Sequence, residues 1–203
     1  MLGLPRSTEV NRRVAKEKIY ANITMTTQLR DVIKNQIESI IWRNKLADTT
    51  VGLASGEDVN EIQVFEIFLR QRSIDKRVLT AINKAIPYKI LFVLTFGNEA
   101  QTWIEVSGTF YNSDWFSIDG FTLKLDGINL DTVYENFARQ IAGGRLDSDG
   151  NIAEAVQKDK LRQQLERVIA GLEKKILREK QFNRQVELNC ELKRLRDDLE
   201  GLG

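Results

Sequence analysis

Glu61-Ile-Gln-Val-Phe-Glu-Ile-Phe-Leu69, Ser73-Ile-Asp75 through Ile86-Pro87, Ile90-Leu-Phe-Val-Leu-Thr-Phe96-Gly-Asn98 and Gln101-Thr-Trp-Ile-Glu-Val106 read in succession as strand, helix, strand, turn and strand. The first run is nearly continuous in apolar residues, as in a strand buried on both faces, with Gln63 and Glu66 interrupting it. Ser73 suits a helix N-cap and Asp75 the positive end of the dipole. Ile74, Val78, Leu79, Ile82, Ala85 and Ile86 recur on one helix face. Pro87 ends that helix, because its ring nitrogen has no hydrogen to donate. A helix of this length between two strands is enough for a crossover, so the strands are expected to run parallel. Gly97-Asn98 then predicts a hairpin to Gln101–Val106.

Towards the N-terminus, Thr26 or Thr27 caps a helix with Leu29, Val32, Ile33, Ile37, Ile40 and Ile41 on one face. The stretch Ile40–Leu46 suits either the end of that helix or a strand, since β-branched and aromatic residues alternate with charge. Residues 1–20 are dense in charge and read as a short helix or an extended arm. Towards the C-terminus, Phe110-Tyr111 with Trp115-Phe116 forms one short strand and Phe121–Leu125 another, about a turn at Asp119-Gly120. A helix then runs from Asp131 through Val133, Tyr134, Phe137, Ile141 and Ala142 to Gly143-Gly144. These elements predict an α+β domain over residues 1–146, with a mixed sheet of about five to six strands, packed helices and a basic N-terminal arm.

Beyond Gly144 the composition changes. Asp147-Ser-Asp-Gly150 is a linker, and residues 151–203 lack Pro, Trp and Tyr while being rich in Leu, Glu, Lys, Arg and Gln. Leu161, Leu165, Val168 and Leu172 step by heptad spacing, as do Leu188, Leu192, Leu195 and Leu199. The two seams are out of phase across Lys180–Asn183, which fits either a helical hairpin or one long helix that changes face. The expectation is a helical, coiled-coil-like tail over 147–203 that offers these eight residues to a protein partner or to a second copy.

Overall charge is balanced, with 30 Lys and Arg against 29 Asp and Glu. Its distribution is not: residues 1–46 carry 9 basic and 4 acidic side chains. Arg12, Arg13, Lys16 and Lys18, with Trp42, Arg43 and Lys45, are the candidate contacts to nucleic acid, cations for phosphate and an indole for stacking. For each the competing role is ordinary, a solvated segment for the cations and core packing for Trp42, as for Trp103 and Trp115. The single cysteine, Cys190, rules out an internal disulfide. With no signal peptide and no long apolar run, a cytoplasmic chain without membrane contact is expected.

Histidine is absent, which removes Cys–His pairs, Ser-His-Asp triads and His-containing zinc sites. No glycine-rich phosphate loop is present, and Asp147, Asp149 and Asn151 lack the spacing of a calcium loop. One enzymatic pattern survives. The element order from Thr27 to Phe96 fits a Mg²⁺-dependent nuclease of the restriction-endonuclease type, with Glu38, Glu61 and Glu66 as its candidate carboxylates. The lysine such a site needs is missing, because Gln63 follows Glu61 and Phe68 follows Glu66. No metal or other cofactor is therefore expected.

Leu4-Pro5-Arg-Ser-Thr8, Val10-Asn11-Arg-Arg-Val14, Lys16-Glu-Lys-Ile-Tyr20, Ile41-Trp42-Arg-Asn-Lys45-Leu46, Glu61-Ile62-Gln-Val-Phe65 and Ile86-Pro87 together resemble a bacterial family known as domain of unknown function 4391. So do Tyr134-Glu-Asn-Phe137, Arg139-Gln-Ile141 and Glu179–Asn189. The resemblance spans essentially the whole chain and carries no catalytic residues. It implies genomic company with DNA methyltransferases and helicase-type restriction subunits, as in restriction–modification or phage-defence operons. The expected function is a non-enzymatic accessory protein acting on such a DNA-processing partner, in a helicase or methyltransferase complex. The alternatives are a nucleic-acid binder using the basic N-terminal segment, and the Mg²⁺-dependent nuclease in degenerate form.

Overall fold

The computed structural model describes residues 2–21, 25–118 and 120–202. The chain forms two compact units, residues 1–144 and 145–203.

In the first unit a 3-10 turn at Arg6–Thr8 leads into β1 (Glu9–Val14), α1 (Lys16–Ala21), α2 (Thr27–Gln36) and β2 (Ile37–Leu46). After α3 (Asp48–Val51) come β3 (Ile62–Leu69), α4 (Lys76–Ala85), β4 (Lys89–Phe96) and β5 (Glu99–Val106). β6 (Thr109–Asn112), β7 (Phe116–Ser117) and α5 (Leu130–Ala142) complete it. Among the described residues the sheet has seven strands in the order β1-β2-β3-β4-β5-β6, with β7 also paired to β5. Its pairs are antiparallel except β3 with β4, which are parallel across the α4 crossover. The architecture is α+β with a mixed sheet.

The central stretch forms as its pattern predicts. β3 and β4 are buried along nearly their whole length; helices pack on one face of the sheet, and α5 packs against β5 and β6. Val78, Leu79 and Ile82 of α4 are at most 1% exposed, and each such side chain contributes about 1.5–3 kcal/mol by leaving water. They join Ile19 of α1, Ile33 of α2 and Ile40, Phe65, Ile67, Phe92 and Leu94 of the sheet in one core. The N-cap of α4 is Asp75, whose carboxylate accepts from Arg77 N–H, and not the earlier Ser73. In the β4–β5 hairpin Gly97 takes φ 59° as the first central residue. The β5–β6 hairpin places Ser107 and Gly108 at φ 47° and 74°, the left-handed pair that matches strand twist.

Three expectations change. The N-terminal arm is neither free nor simply helical: it supplies edge strand β1 and then α1. The open choice at Ile40–Leu46 falls to strand, since Thr26 caps α2 but the helix stops at Gln36. Pairing with β3 outweighs the helical spacing of Ile37, Ile40 and Ile41. Phe121–Leu125 alternates like a strand yet forms none; a single bridge joins Thr122 to Leu2. Phe121 instead stacks on Phe116, with ring centroids 4.6 Å apart. Asp119, half of the expected turn, lies outside the described residues.

The second unit is a helical hairpin of α6 (Ile152–Ile176) and α7 (Phe182–Glu200). Asn151 caps α6 by accepting from Ala153 and Glu154 N–H. At the turn, Glu179 Oε1 accepts from Lys180 and Gln181 N–H, which holds its carboxyl below the usual glutamate range. No described helix is long and apolar enough to cross a membrane.

Candidate functional site

The sequence-predicted basic and aromatic residues fall mainly on β1 and β2. Arg12 pairs with Trp42 and Arg13 with Ile41, and successive strand residues point to opposite faces. Arg12 and Trp42 therefore share the helix-covered face, while Arg13 shares the other with Ile41. Trp42 stacks on Phe65 at 6.3 Å and its indole N–H donates to Asn44 O. The half-buried ring thus packs against the core through Phe65. Trp103 is only 8% exposed, and half-buried Trp115 has the Arg72 guanidinium over its ring.

Arg43 sits at a bulge. Trp42 pairs with Phe65 and Asn44 with Val64, which leaves Arg43 as the extra residue. Its Nε donates to Glu66 at 2.5 Å and its Nη1 to Asn11 Oδ1 at 3.1 Å. Asn11 occupies a second bulge, in β1, at φ 50°. Glu66 also accepts from the Thr95 hydroxyl at 3.0 Å. Asn11, Arg43, Glu66 and Thr95 thus form a polar ladder across β1, β2, β3 and β4. Lys45 pairs with Glu61 at 2.7 Å, and that hydrogen bond raises the lysine's pKa above its usual range.

The three candidate carboxylates do not converge. Glu66 is held by Arg43 and Thr95, and Glu61 by Lys45 and Gln63. Their odd separation sends them to opposite sides of the β3 line. Glu38 is exposed, the extra residue at another β2 bulge. Among the described residues no three metal-ligating side chains gather. The nuclease arrangement expected of these positions is not formed.

A cationic group does assemble at the end of the sheet where β2 begins and β3 ends. The Lys16 ammonium donates to Ile37 O at 2.6 Å. Ile37 pairs with Leu69, and the next residue, Arg70, donates its N–H to Gln36 O. Burial, and then the charge of Arg70 with that of Arg13, hold the Lys16 pKa below the lysine range; Glu17 and Glu38 act the other way. Arg70 and Arg13 thus act on the charge of Lys16, and Lys18 is exposed two residues further along α1. Arg70 is invisible to a reading of local composition, because only the β2–β3 register brings it beside Lys16.

A concavity of about 620 Å³ lies at the opposite end of the parallel strands and is lined in part by Glu61, Asn83, Lys89, Glu105 and Tyr134. Glu61 is paired there with Lys45 and Gln63, whereas the buried Asn83 Oδ1 has no hydrogen-bond partner among the described residues. The Tyr134 hydroxyl donates to Glu105 O at 2.7 Å, and burial pushes that phenol well above its ordinary range. Lys89 lies over the Tyr134 ring.

In the hairpin, Leu188 and Leu192 are buried and Leu195 and Leu199 half-buried, so one helix contributes the seam its spacing suggests. The inner face of α6 keeps Leu165 and Leu172 of the expected seam and replaces its other two members. Ile169 is buried and Leu165, Leu172 and Ile176 half-buried, while Leu161 and Val168 stay 45% and 43% exposed. Arg196 pairs with Glu173 at 2.7 Å, tying the helices together. Leu177, Phe182 and Val186 are exposed about the turn, at 85%, 75% and 46%.

No curated protein and no solved structure matches the chain. The family described as Domain of unknown function (DUF4391) matches residues 2–199, and the chain belongs to that family.

Proposed function

We propose that this protein is a non-enzymatic accessory protein that works by binding a partner through its helical hairpin. The observation that carries this reading is the exposure of Leu161 and Val168 beside an inner seam already closed by Ile169, Leu188 and Leu192. Apolar side chains at heptad spacing on an outer face suit a second helix surface. The pairing of Glu61 and Glu66 with cations supports the same reading, since it leaves these carboxylates in structural roles. The partner is a component of a DNA-processing system of the restriction–modification or phage-defence kind, by the genomic company that the resemblance implies. Such a partner puts the protein in the cytoplasm, where the exposed Cys190 stays a thiol. Co-purification with methyltransferase and helicase subunits of such a system, together with light scattering for self-association, tests this. Leu161→Glu with Val168→Glu is expected to abolish the association while leaving helicity unchanged. A wild-type chain that is monomeric and captures no such subunit overturns the reading.

A second reading, nucleic-acid binding, is favoured by the charges of Arg70 and Arg13 acting on Lys16. Cations gathered at one sheet end attract phosphate, and each phosphate contact adds about 0.9 to the slope of log K against log salt on duplex DNA. Binding is expected to weaken steeply between low and physiological salt, and Arg13→Glu with Arg70→Glu to cost at least about ten-fold in affinity. Binding that ignores both salt and charge reversal removes this reading.

A further inference from the structure

The geometry points to the hairpin turn as a docking site for an acidic protein segment that carries apolar anchors one helical turn apart. This rests on the reading of the chain as an interaction protein and gives its partner a chemistry. Phe182 and Val186 lie four residues apart on α7 and so share a face. With Leu177 they expose three large apolar side chains within one short stretch of the second unit. Phe182 is the first residue of α7, and Gln181 at the N-cap makes no side-chain bond that would cover it.

The charges around these side chains are unevenly matched. Residues 173–187 carry Lys174, Lys175, Arg178, Lys180 and Arg184 against Glu173, Glu179 and Glu187. All three acids are engaged: Glu173 by Arg196, Glu187 by Arg184, and Glu179 by the N–H groups of the turn. Lys174, Lys175, Arg178 and Lys180 are exposed, and none forms an ion pair among the described residues. Of these four cations Lys175 acts on the Glu179 carboxyl, as Arg184 does. An apolar tip ringed by such cations is complementary to carboxylates flanking an apolar anchor. A helix N-terminus at the same place adds to the preference for negative charge.

The inference is tested by selection of random 16-residue peptides on the immobilised full chain, followed by anisotropy measurements on the selected sequences. Selected peptides are expected to be rich in Asp and Glu, with apolar residues at spacings of three or four. Leu177→Ser with Phe182→Ser is expected to weaken them at least ten-fold while circular dichroism stays unchanged. Lys175→Glu, Arg178→Glu and Lys180→Glu together are expected to turn the selection towards basic peptides. Peptides without acidic enrichment, binding indifferent to Leu177 and Phe182, or tighter binding to phosphatidylglycerol vesicles than to any peptide would overturn it. If methyltransferase or helicase subunits are still captured through Leu161 and Val168 while the tip selects nothing, the tip inference alone falls. If neither binds, the broader reading falls with it.

Discussion

Arg43 enters the sheet as the extra residue of a bulge, and from there it reaches both Asn11 and the carboxylate of Glu66. Glu66 is buried, and its carboxylate oxygens accept from that guanidinium and from the Thr95 hydroxyl. Removing one member of a buried pair leaves the other desolvated, whereas replacing both with apolar groups is often neutral. Arg43→Ala is expected to cost about 2–4 kcal/mol in urea unfolding, a range set below the full buried-pair value because the Arg43 side chain is 31% exposed. Arg43→Met with Glu66→Leu is expected to recover most of that loss, giving a coupling larger than about 1 kcal/mol in the double-mutant cycle. Lys16 supplies a pH test. Its pKa is lower in the fold than in the unfolded chain, so the fold disfavours its protonation. Stability from this group is reduced at neutral pH and rises as pH climbs from the lowered value towards the ordinary lysine range. A bound polyanion is expected to shift the Lys16 side-chain NMR titration back upward, and an unchanged titration in its presence would contradict phosphate contact at that lysine.

The elements divide into those that close a core and those that leave a surface. In the hairpin, Leu188 and Leu161 are the same residue type in opposite situations, one 2% and the other 45% exposed. Leu188→Ala is expected to destabilise by about 2–4 kcal/mol in thermal or urea unfolding, through lost transfer energy and a cavity. Leu161→Ser is expected to stay within about 0.5 kcal/mol in the unassociated chain. Edge strand β1 shows the other management of surface. Arg12 and Arg13 put charge on an unpaired row of backbone groups, which discourages pairing between molecules. Arg12→Val with Arg13→Val is expected to promote concentration-dependent aggregation, read by light scattering. This role and phosphate contact are compatible, and Arg70→Glu separates them because Arg70 lies outside the edge strand.

At the scale of the molecule, residues 1–144 hold a sheet with helices packed on one face and α5 packed against β5 and β6. A fragment of those residues is expected to unfold cooperatively in urea, and a gradual, non-cooperative loss of signal would show that its core is incomplete. The α+β class, the β3–α4–β4 crossover, the β4–β5 hairpin and the helical tail were legible in the chain. Their signals are local: apolar runs, a helical period, Pro87, Gly97 and leucine spacing, all set by backbone and side-chain geometry within a few residues. The strand identity of Ile37–Leu46 was not legible, since its apolar spacing serves a helix equally and only pairing with β3 decides it. Phe121–Leu125 failed in the opposite sense, because alternation specifies a strand only where a partner edge is at hand. The candidate site was legible in part. Arg13 and Lys16 stood out by density of charge, but Arg70, the packing of Trp42 on Phe65 and the pairing of Arg43 and Lys45 with Glu66 and Glu61 follow from strand register and two bulges. The inner face of α6 likewise keeps Leu165 and Leu172 but takes Ile169 in place of Val168, a choice between neighbouring positions that the packing of α7 selects. The sequence by itself determined which segments become helix or strand where the pattern is unambiguous. The tertiary structure alone decided which charges are neutralised and which side chains remain exposed, because those depend on neighbours distant in the chain.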